Sequence, residues 1–384
     1  MSSVTPPRGY KKSDTERRKK WLEEKTGIHL NDIEPNDPED LKGIIENHTG
    51  YINIPMAVAG PLQISGTYAS GVFYIPLCTL EGSLSLSMTR GLYLTHLSGG
   101  IKTVHIKQEI SRSPIFIFED IDETDSFLQW IKLNFEKIKS EAEASTKFGK
   151  LLRIDQYPTQ NSVILDFIFY TAEAAGQNMV TIATYEACRF IKEKFKSKNP
   201  YRYFIESNFN GDKNPAAKTL LLGRSHYVVA SSLIKGEYLK RVLRTSAKEY
   251  VEGWTKCTHG AQMAGVVGMN MHVANALAAI YLATGQDVAC VAENSVAVMT
   301  YEVRNETDLY ATLTMPSISV GTVGGGTRLK QQNKNLQMLG CTGKNSSKKL
   351  AEIVCASALA LELSLGGAIV TDEFAQAHAK YGRK

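Results

Sequence analysis

The sequence predicts an α+β protein: a large mixed helix and sheet domain, an inserted smaller domain of β-α-β-β-α-β order, and a short helical N-terminal segment. Two observations predict it. Between residues 113 and 207, runs of β-branched and aromatic residues alternate with two helical periodicities, in the order of a split βαβ, or ferredoxin-like, unit. Residues 263–286 carry no Asp, Glu, Lys or Arg, and over 273–283 they are small and apolar nearly all round, which marks a helix at the centre of a second, larger core. The boundaries are then 1–45 for the N-terminal segment, 46–112 joined to 208–384 for the large domain, and 113–207 for the insertion.

Ser13 or Asp14 can cap a basic helix running to about Lys25, with Trp21 and Leu22 on its apolar side. Gly50, Pro55, Gly60 and Pro61 then punctuate irregular backbone with short strands. VFYIPLC (72–78) reads as a strand and the residues after Glu81 as a helix. Glu81 sits at the turn between them. A carboxylate there can satisfy the helix dipole or, shielded by burial or a neighbouring anion, can deliver a proton. Ser87, Thr89 and Arg90 make the helix unusually polar, and Arg90 suits a phosphate.

In the insertion, PIFIF (114–118) is a strand and Asp125 caps a helix carrying Phe127, Leu128, Ile131, Phe135 and Ile138. KLLRI (150–154) and SVILDFIFY (162–170) are strands, Gly176 turns the chain into a second helix, and YRYFI (201–205) closes the unit. No GxGxxG is present, so this is not a Rossmann fingerprint; the helix start at Gly176 nonetheless favours an anion.

Asn208, Asn210, Gly211 and Asp212 form the densest turn signal of the chain, and Lys213 follows, with Asn214–Pro215 opening a helix. A lysine so placed can be aimed at one point in space; its alternative is a solvated surface lysine. Asn275 lies on the central helix, Gly285 stops it, and Asp287 follows in the most apolar region of the sequence. A carboxylate buried there needs a partner, and Lys213 and Glu81 are candidates; capping a turn is the other reading. MPSISVGTVGGGT (315–327) is a strand followed by Gly321, Gly324, Gly325 and Gly326, whose bare backbone lets a ligand approach. Ser346 or Ser347 caps a long helix to Leu365. The apolar stretch 353–370, broken by Glu362 and two glycines, reads as a buried helix and not a membrane span. In the polar tail, His378 is the one residue able to donate a proton near neutral pH.

A net charge of +5 is small for 384 residues and is weighted to the termini, so no nucleic-acid footprint is expected. Six cysteines without CxxC spacing point to reduced, buried thiols and a cytoplasmic location. Metal-ligand spacing is absent from the sequence, so no metal is expected.

Taken together, ENHTGYINIPMAVAGPL (46–62), EGSLSLSMTRG (81–91), DKNPAA (212–217), GQD (285–287), MPSISVGTVGGGT, LQMLG (336–340) and ELSL (362–365) resemble the catalytic portion of the 3-hydroxy-3-methylglutaryl-CoA reductases, of the eukaryotic and archaeal type, in that family's order. The resemblance covers about residue 45 to the C-terminus. It implies a four-electron reduction of 3-hydroxy-3-methylglutaryl-CoA to mevalonate and CoA by two NADPH, with NADH as the alternative donor. It implies Glu81, Lys213, Asp287 and His378 as catalytic residues. Arg112, Asp212 and Asn275 would hold the acyl group, and Ser87, Thr89 and Arg90 the coenzyme A. Lys147, Glu173, Ala174, Asn178, Val323, Gly324 and Gly325 would meet the dinucleotide. It also implies a homodimer or homotetramer with shared active sites, and a location without a membrane anchor in this chain. Three positions depart from the family: its DAMGMN motif reads EAAGQN (173–178), its second loop lysine is Asn214, and its loop serine is Glu206. A reductase of another acyl thioester, or a weakened acyl-CoA-binding relative, are the alternatives those departures raise.

Overall fold

A computed structural model describes residues 5–30 and 41–375. In chain order the elements are α1 (Lys12–Thr26), β1 (Met56–Gly66), β2 (Ser70–Cys78), α2 (Leu84–Leu97), β3 (Ile101–Arg112), β4 (Ile115–Ile117), α3 (Ile121–Leu133), α4 (Phe135–Ala144), β5 (Lys150–Thr159), β6 (Ser162–Tyr170), α5 (Gln177–Lys194) and β7 (Arg202–Phe204). There follow α6 (Ala217–Leu222), β8 (Arg224–Ile234), α7 (Gly236–Leu243), α8 (Ala247–Ala264), α9 (Val273–Thr284), α10 (Val291–Asn294), β9 (Val298–Arg304), β10 (Asp308–Ile318), α11 (Lys330–Met338) and α12 (Ser346–Val370).

One strand ties the fold together. Through most of its length β3 pairs antiparallel with β8, from Lys102 opposite Ser231 to Glu109 opposite Ser225. Its last three residues leave β8 and pair with β6, Arg112 facing Phe167. Arg112 is thereby fixed at the junction of two sheet regions. On one side β8 pairs with β10 and β10 with β9, all antiparallel, while β1 joins β3 in parallel. On the other the order is β7-β4-β6-β5, again antiparallel.

Two separate apolar clusters follow from this split. Phe116, Leu165 and Phe167 pack with Phe127, Ile131, Ile138, Ala183 and Ile191 in one. The other is built on β1, β2, β8 and β10 with α2, α9 and α12. Helix α12 is buried almost throughout. It is long and apolar enough to cross a membrane, but 83% of its most apolar window is buried inside the fold, so it is the core helix the sequence suggests. A Cβ on Gly91 of α2 would sit 1.8 Å from the Ala360 carbonyl oxygen, so the two helices cross where only a glycine fits. The two carboxylates of α12 each hold a turn: Glu352 accepts the N–H groups of Thr67, Tyr68 and Ala69, and Glu362 those of Met271 and His272.

Several local expectations need correction. The helix expected over 125–138 is two helices broken at Asn134, whose amide donates to the Trp130 carbonyl and competes with the helical ladder (2.9 Å). Its N-cap is Asp120, which accepts the Glu123 N–H at 2.9 Å, and Asp125 lies within the first helix. Pro215 does not open a helix: α6 starts at Ala217, after an extended Ala216, because Asn214 is drawn into a turn on Gly211 (3.1 Å). Helix α12 starts at Ser346 from a left-handed Asn345 and runs on to Val370, beyond the expected Leu365.

Candidate active site

Lys213 has a left-handed backbone (φ 59°), as does Asn208 (φ 62°), so the loop between them is bent in a way that side-chain-bearing residues resist. Hydrogen bonds hold it. The Asp212 N–H donates to Asn210 Oδ1 (2.8 Å), the Asn214 amide to the Asp212 carbonyl (2.8 Å), and the Lys213 N–H to Glu293 Oε2 (2.8 Å). With the main chain fixed, Lys213 Nζ reaches Asp287 Oδ2 at 2.9 Å. The hydrogen bond that Lys213 donates to Asp287 raises the lysine's pKa, against the opposing effect of its partial burial, so the ammonium stays charged. Asp287 is itself positioned from both sides. Gly285, left-handed at φ 72°, ends α9 just before it, and Asp287 Oδ1 accepts the Ala289 N–H (3.1 Å) at the start of the 3-10 turn Val288–Cys290. The expected burial of Asp287 is corrected: its side chain is 42% exposed and that of Lys213 44%. The apolar sequence around Asp287 belongs to α9, and the carboxylate emerges at that helix's end.

Beneath the loop lies an ion network that the sequence reading missed. Glu293 is fully buried and Arg224 nearly so; they meet at 2.8 Å, and Ser319 Oγ also donates to Glu293. Arg224 and Arg112 each approach Asp212 at 3.3 Å, from opposite oxygens, and Arg112 also pairs with Glu206. The one signal is an acid, Glu293, directly after the apolar run 288–292. Cys290 lies beside this network, bonded to the Gln177 amide (2.9 Å). Burial pushes its thiol up to about 12, so it is no nucleophile.

Glu81 and Asn275 form a second group. Glu81 is exposed in the β2–α2 turn, and Asn275 donates to its Oε1 at a long 3.4 Å. Next to them His272 Nε2 contacts the Leu361 carbonyl (3.2 Å) and its Nδ1 the Asn275 amide (3.4 Å). Burial lowers the His272 pKa to about 4, so the ring is neutral. Asn275 is in the first turn of α9 and Asp287 lies past its last residue. The helix between Asn275 and Thr284 alone spans about 14 Å. Within one chain, then, Lys213 meets Asp287, Glu81 meets Asn275, and the two pairs stand at opposite ends of α9.

Of the residues expected at coenzyme A, Ser87 Oγ bonds Ser364 Oγ (2.9 Å) and Thr89 lies half-buried on α2. Arg90 holds the end of α12: its Nη2 donates to the Ser364 carbonyl (2.7 Å) and its Nη1 pairs with Glu373 (3.0 Å), which Arg244 also grips (3.0 Å). Of the residues expected at the dinucleotide, Lys147 is exposed before β5 and Asn178 is exposed in the first turn of α5. Ala174 bridges in parallel to Val323, which brings the turn before α5 against the glycine loop. A Cβ on Gly324 or Gly325 would meet nothing within 4 Å, so that backbone is open to a ligand. Glu173 is committed elsewhere. It accepts the N–H groups of Asn345 (2.7 Å) and Ser347 (2.8 Å) and so caps α12 from a distant segment. His378 lies outside the described residues.

Comparison with known proteins agrees over nearly the whole chain. A model of the family described as hydroxymethylglutaryl-coenzyme A reductase matches residues 14–383. The 3-hydroxy-3-methylglutaryl-coenzyme A reductase of Methanocaldococcus jannaschii is 38% identical over 96% of this chain and 93% of its own. That of Aeropyrum pernix is 41% identical over 95% and 89%. A solved class II reductase of the same name from Streptococcus pneumoniae, bound to NADPH in open conformations, shares the fold at TM-score 0.68 and 17% identity, covering 86% of this chain and 89% of that one. The chain belongs to the hydroxymethylglutaryl-coenzyme A reductase family.

Proposed function

We propose that the protein reduces 3-hydroxy-3-methylglutaryl-CoA to mevalonate and free CoA with two NADPH, at a site shared between two copies of the chain. The observation that carries this is the Lys213–Asp287 pair, 2.9 Å apart, with Lys213 on a loop held in a strained conformation. Each reduction step puts negative charge on the former carbonyl oxygen. An ammonium kept charged by Asp287 and aimed by a fixed backbone is suited to stabilise it. Glu81 donates the proton that completes the alcohol, and His378 protonates the departing thiolate of CoA. Arg112 and Asp212 orient the far end of the acyl group, with Asn275 at its hydroxyl.

Each of two NADPH molecules, when bound in turn, would supply one of the two hydrides. The glycine loop fits such a ligand: Gly324 and Gly325 leave open backbone beside the start of α5, where Gly176 (φ 89°) turns the chain against Thr171. Asn178, Ala174, Val323 and those glycines line this approach, with Lys147 reaching the 2′-phosphate. The antiparallel order β7-β4-β6-β5 supports reading residues 113–207 as a ferredoxin-like cofactor domain, inserted in a large domain of residues 46–112 and 208–384, with residues 1–45 as a helical lead-in. Six free cysteines support a cytoplasmic location.

A homodimer in which α9 faces α9 of the partner in antiparallel fashion supplies what one chain lacks. The Glu81–Asn275 end of one copy then covers the Lys213–Asp287 end of the other, excluding water from both. NADPH consumption with 3-hydroxy-3-methylglutaryl-CoA tests the reaction. Mixing tests the shared site. Lys213→Ala and Glu81→Gln, each inactive alone, should on co-expression restore about a quarter of wild-type activity, since half the dimers then hold one intact site. No recovery in proven heterodimers would show that the site lies within one chain.

A further inference from the structure

Arg112 is the guanidinium that the proposed function gives to the acyl carboxylate, yet in this chain it is already occupied. Its Nη1 pairs with Glu206 and its Nη2 with Asp212 (3.3 Å), and its side chain is only 10% exposed. Glu206 is not a stray surface acid. Its Oε1 accepts the Asn208 N–H (2.6 Å) and its Oε2 the amide of the buried Asn210 (2.7 Å), so two groups orient it toward the arginine. The neighbouring Ser207 offers no replacement, because its hydroxyl donates to the Ser113 carbonyl at 2.6 Å. Across the connected cluster, the cations Lys213, Arg112 and Arg224 face the carboxylates Glu206, Asp212, Asp287 and Glu293, three against four. Asn214 adds no charge and ties its amide to the Asp212 carbonyl (2.8 Å). Among the described residues of this cluster, an anionic acyl group therefore meets no uncompensated cation.

We infer that Glu206 is a built-in competitor for the substrate's carboxylate: an acyl-CoA with a terminal carboxylate must displace it from Arg112, and an acyl-CoA without one need not. Glu206 is thus a specificity-determining residue, and this inference rests on the reading of Arg112 given above. Its 34% exposure, against 20% for Asp212, makes it the partner that swings out, while Asp212 stays pinned between two arginines. The consequence is weaker selection for carboxylate-bearing thioesters than an unopposed arginine would give.

The test is calorimetric titration of the full chain and of Glu206→Gln and Glu206→Ser with 3-hydroxy-3-methylglutaryl-CoA and with 3-hydroxybutanoyl-CoA, which lacks the terminal carboxylate. Both variants should bind the first thioester about tenfold more tightly, the effect of one charge-assisted hydrogen bond no longer contested. Binding of the second should change less than about twofold, so the ratio of the two Kd values carries the answer and a general loss of folding cancels from it. An unchanged ratio in both variants, or a ratio moved against the carboxylate-bearing thioester, overturns the inference. The wild-type turnover assay is separate: absent reduction with NADPH would defeat the proposed reaction while the Kd ratio still reads the competition at Arg112.

Discussion

Removing the charge of Glu293 separates stability from catalysis. Glu293 and Arg224 form an ion pair out of water, and Glu293 also holds the Lys213 N–H. Breaking such a pair from one side costs about 3–5 kcal/mol, because the remaining charge stays buried. Glu293→Gln keeps the shape and one acceptor, and Arg224 keeps Asp212 at 3.3 Å, so a loss near about 3 kcal/mol is expected. In equilibrium urea unfolding that is a midpoint shift of about 1 M. The informative comparison is the double replacement Glu293→Leu with Arg224→Met. Substituting a buried ion pair by apolar side chains is often close to neutral, so stability should return to within about 1 kcal/mol of wild type. Activity should not return. The Lys213 N–H then has no acceptor, its left-handed conformation loses a restraint, and a displacement of Nζ by about 1 Å can cost about a hundredfold in kcat. The assay is kcat for NADPH-dependent reduction beside the urea midpoint for the three proteins. A double variant that regains both, or a single variant with an unmoved midpoint, refutes the positioning role.

Two further outcomes follow from carboxylates at helix starts. Glu173→Ala removes two N–H acceptors from the first turn of α12 and should lower stability by about 1–2 kcal/mol, read as a fall in urea midpoint, with Glu173→Gln losing less. Burial raises the Glu362 pKa from 4.5 to about 7 against the pull of its backbone hydrogen bonds, so its contribution is full below pH 4.5 and is lost as pH rises through 7; burial lowers His272 from 6.5 to about 4, so its contribution is full above pH 6.5 and is lost as pH falls through 4. Between about 4.5 and 6.5 these two groups together bind the same number of protons folded or unfolded, so their combined effect is flat there. The urea midpoint should decline as pH rises from about 6.5 through about 7 and level off above that, and Glu362→Gln should flatten that decline.

What the sequence made legible was local. Helix α9 announced itself because small apolar residues without charge have few other places to be, and Gly285 marked its end. The turn at 208–213 was readable because asparagine and glycine tolerate the left-handed conformations it needs, though the same signal did not reveal that Lys213 adopts one too. Hidden were the partnerships made by folding. Nothing near Glu173 in sequence says that it caps a helix starting at residue 346, and the family pattern pointed to the cofactor instead. Nothing in the sequence around Arg224 marks its partners Glu293 and Asp212, which reach it only in the fold. The burial of Asp287 was misjudged for a reason that reaches function. Apolar neighbours in sequence describe the helix, whereas Asp287 hangs from its end, where the exposed Val288 stands beside it. A helix cannot bend its two ends together, so Asn275, beside Glu81, and Asp287, beside Lys213, are held apart by the length of α9. An ammonium and a carboxylate left in water at one end, and an acid and an amide at the other, are the two half-sites that the homodimer proposed above, with its twofold axis across α9, would complete.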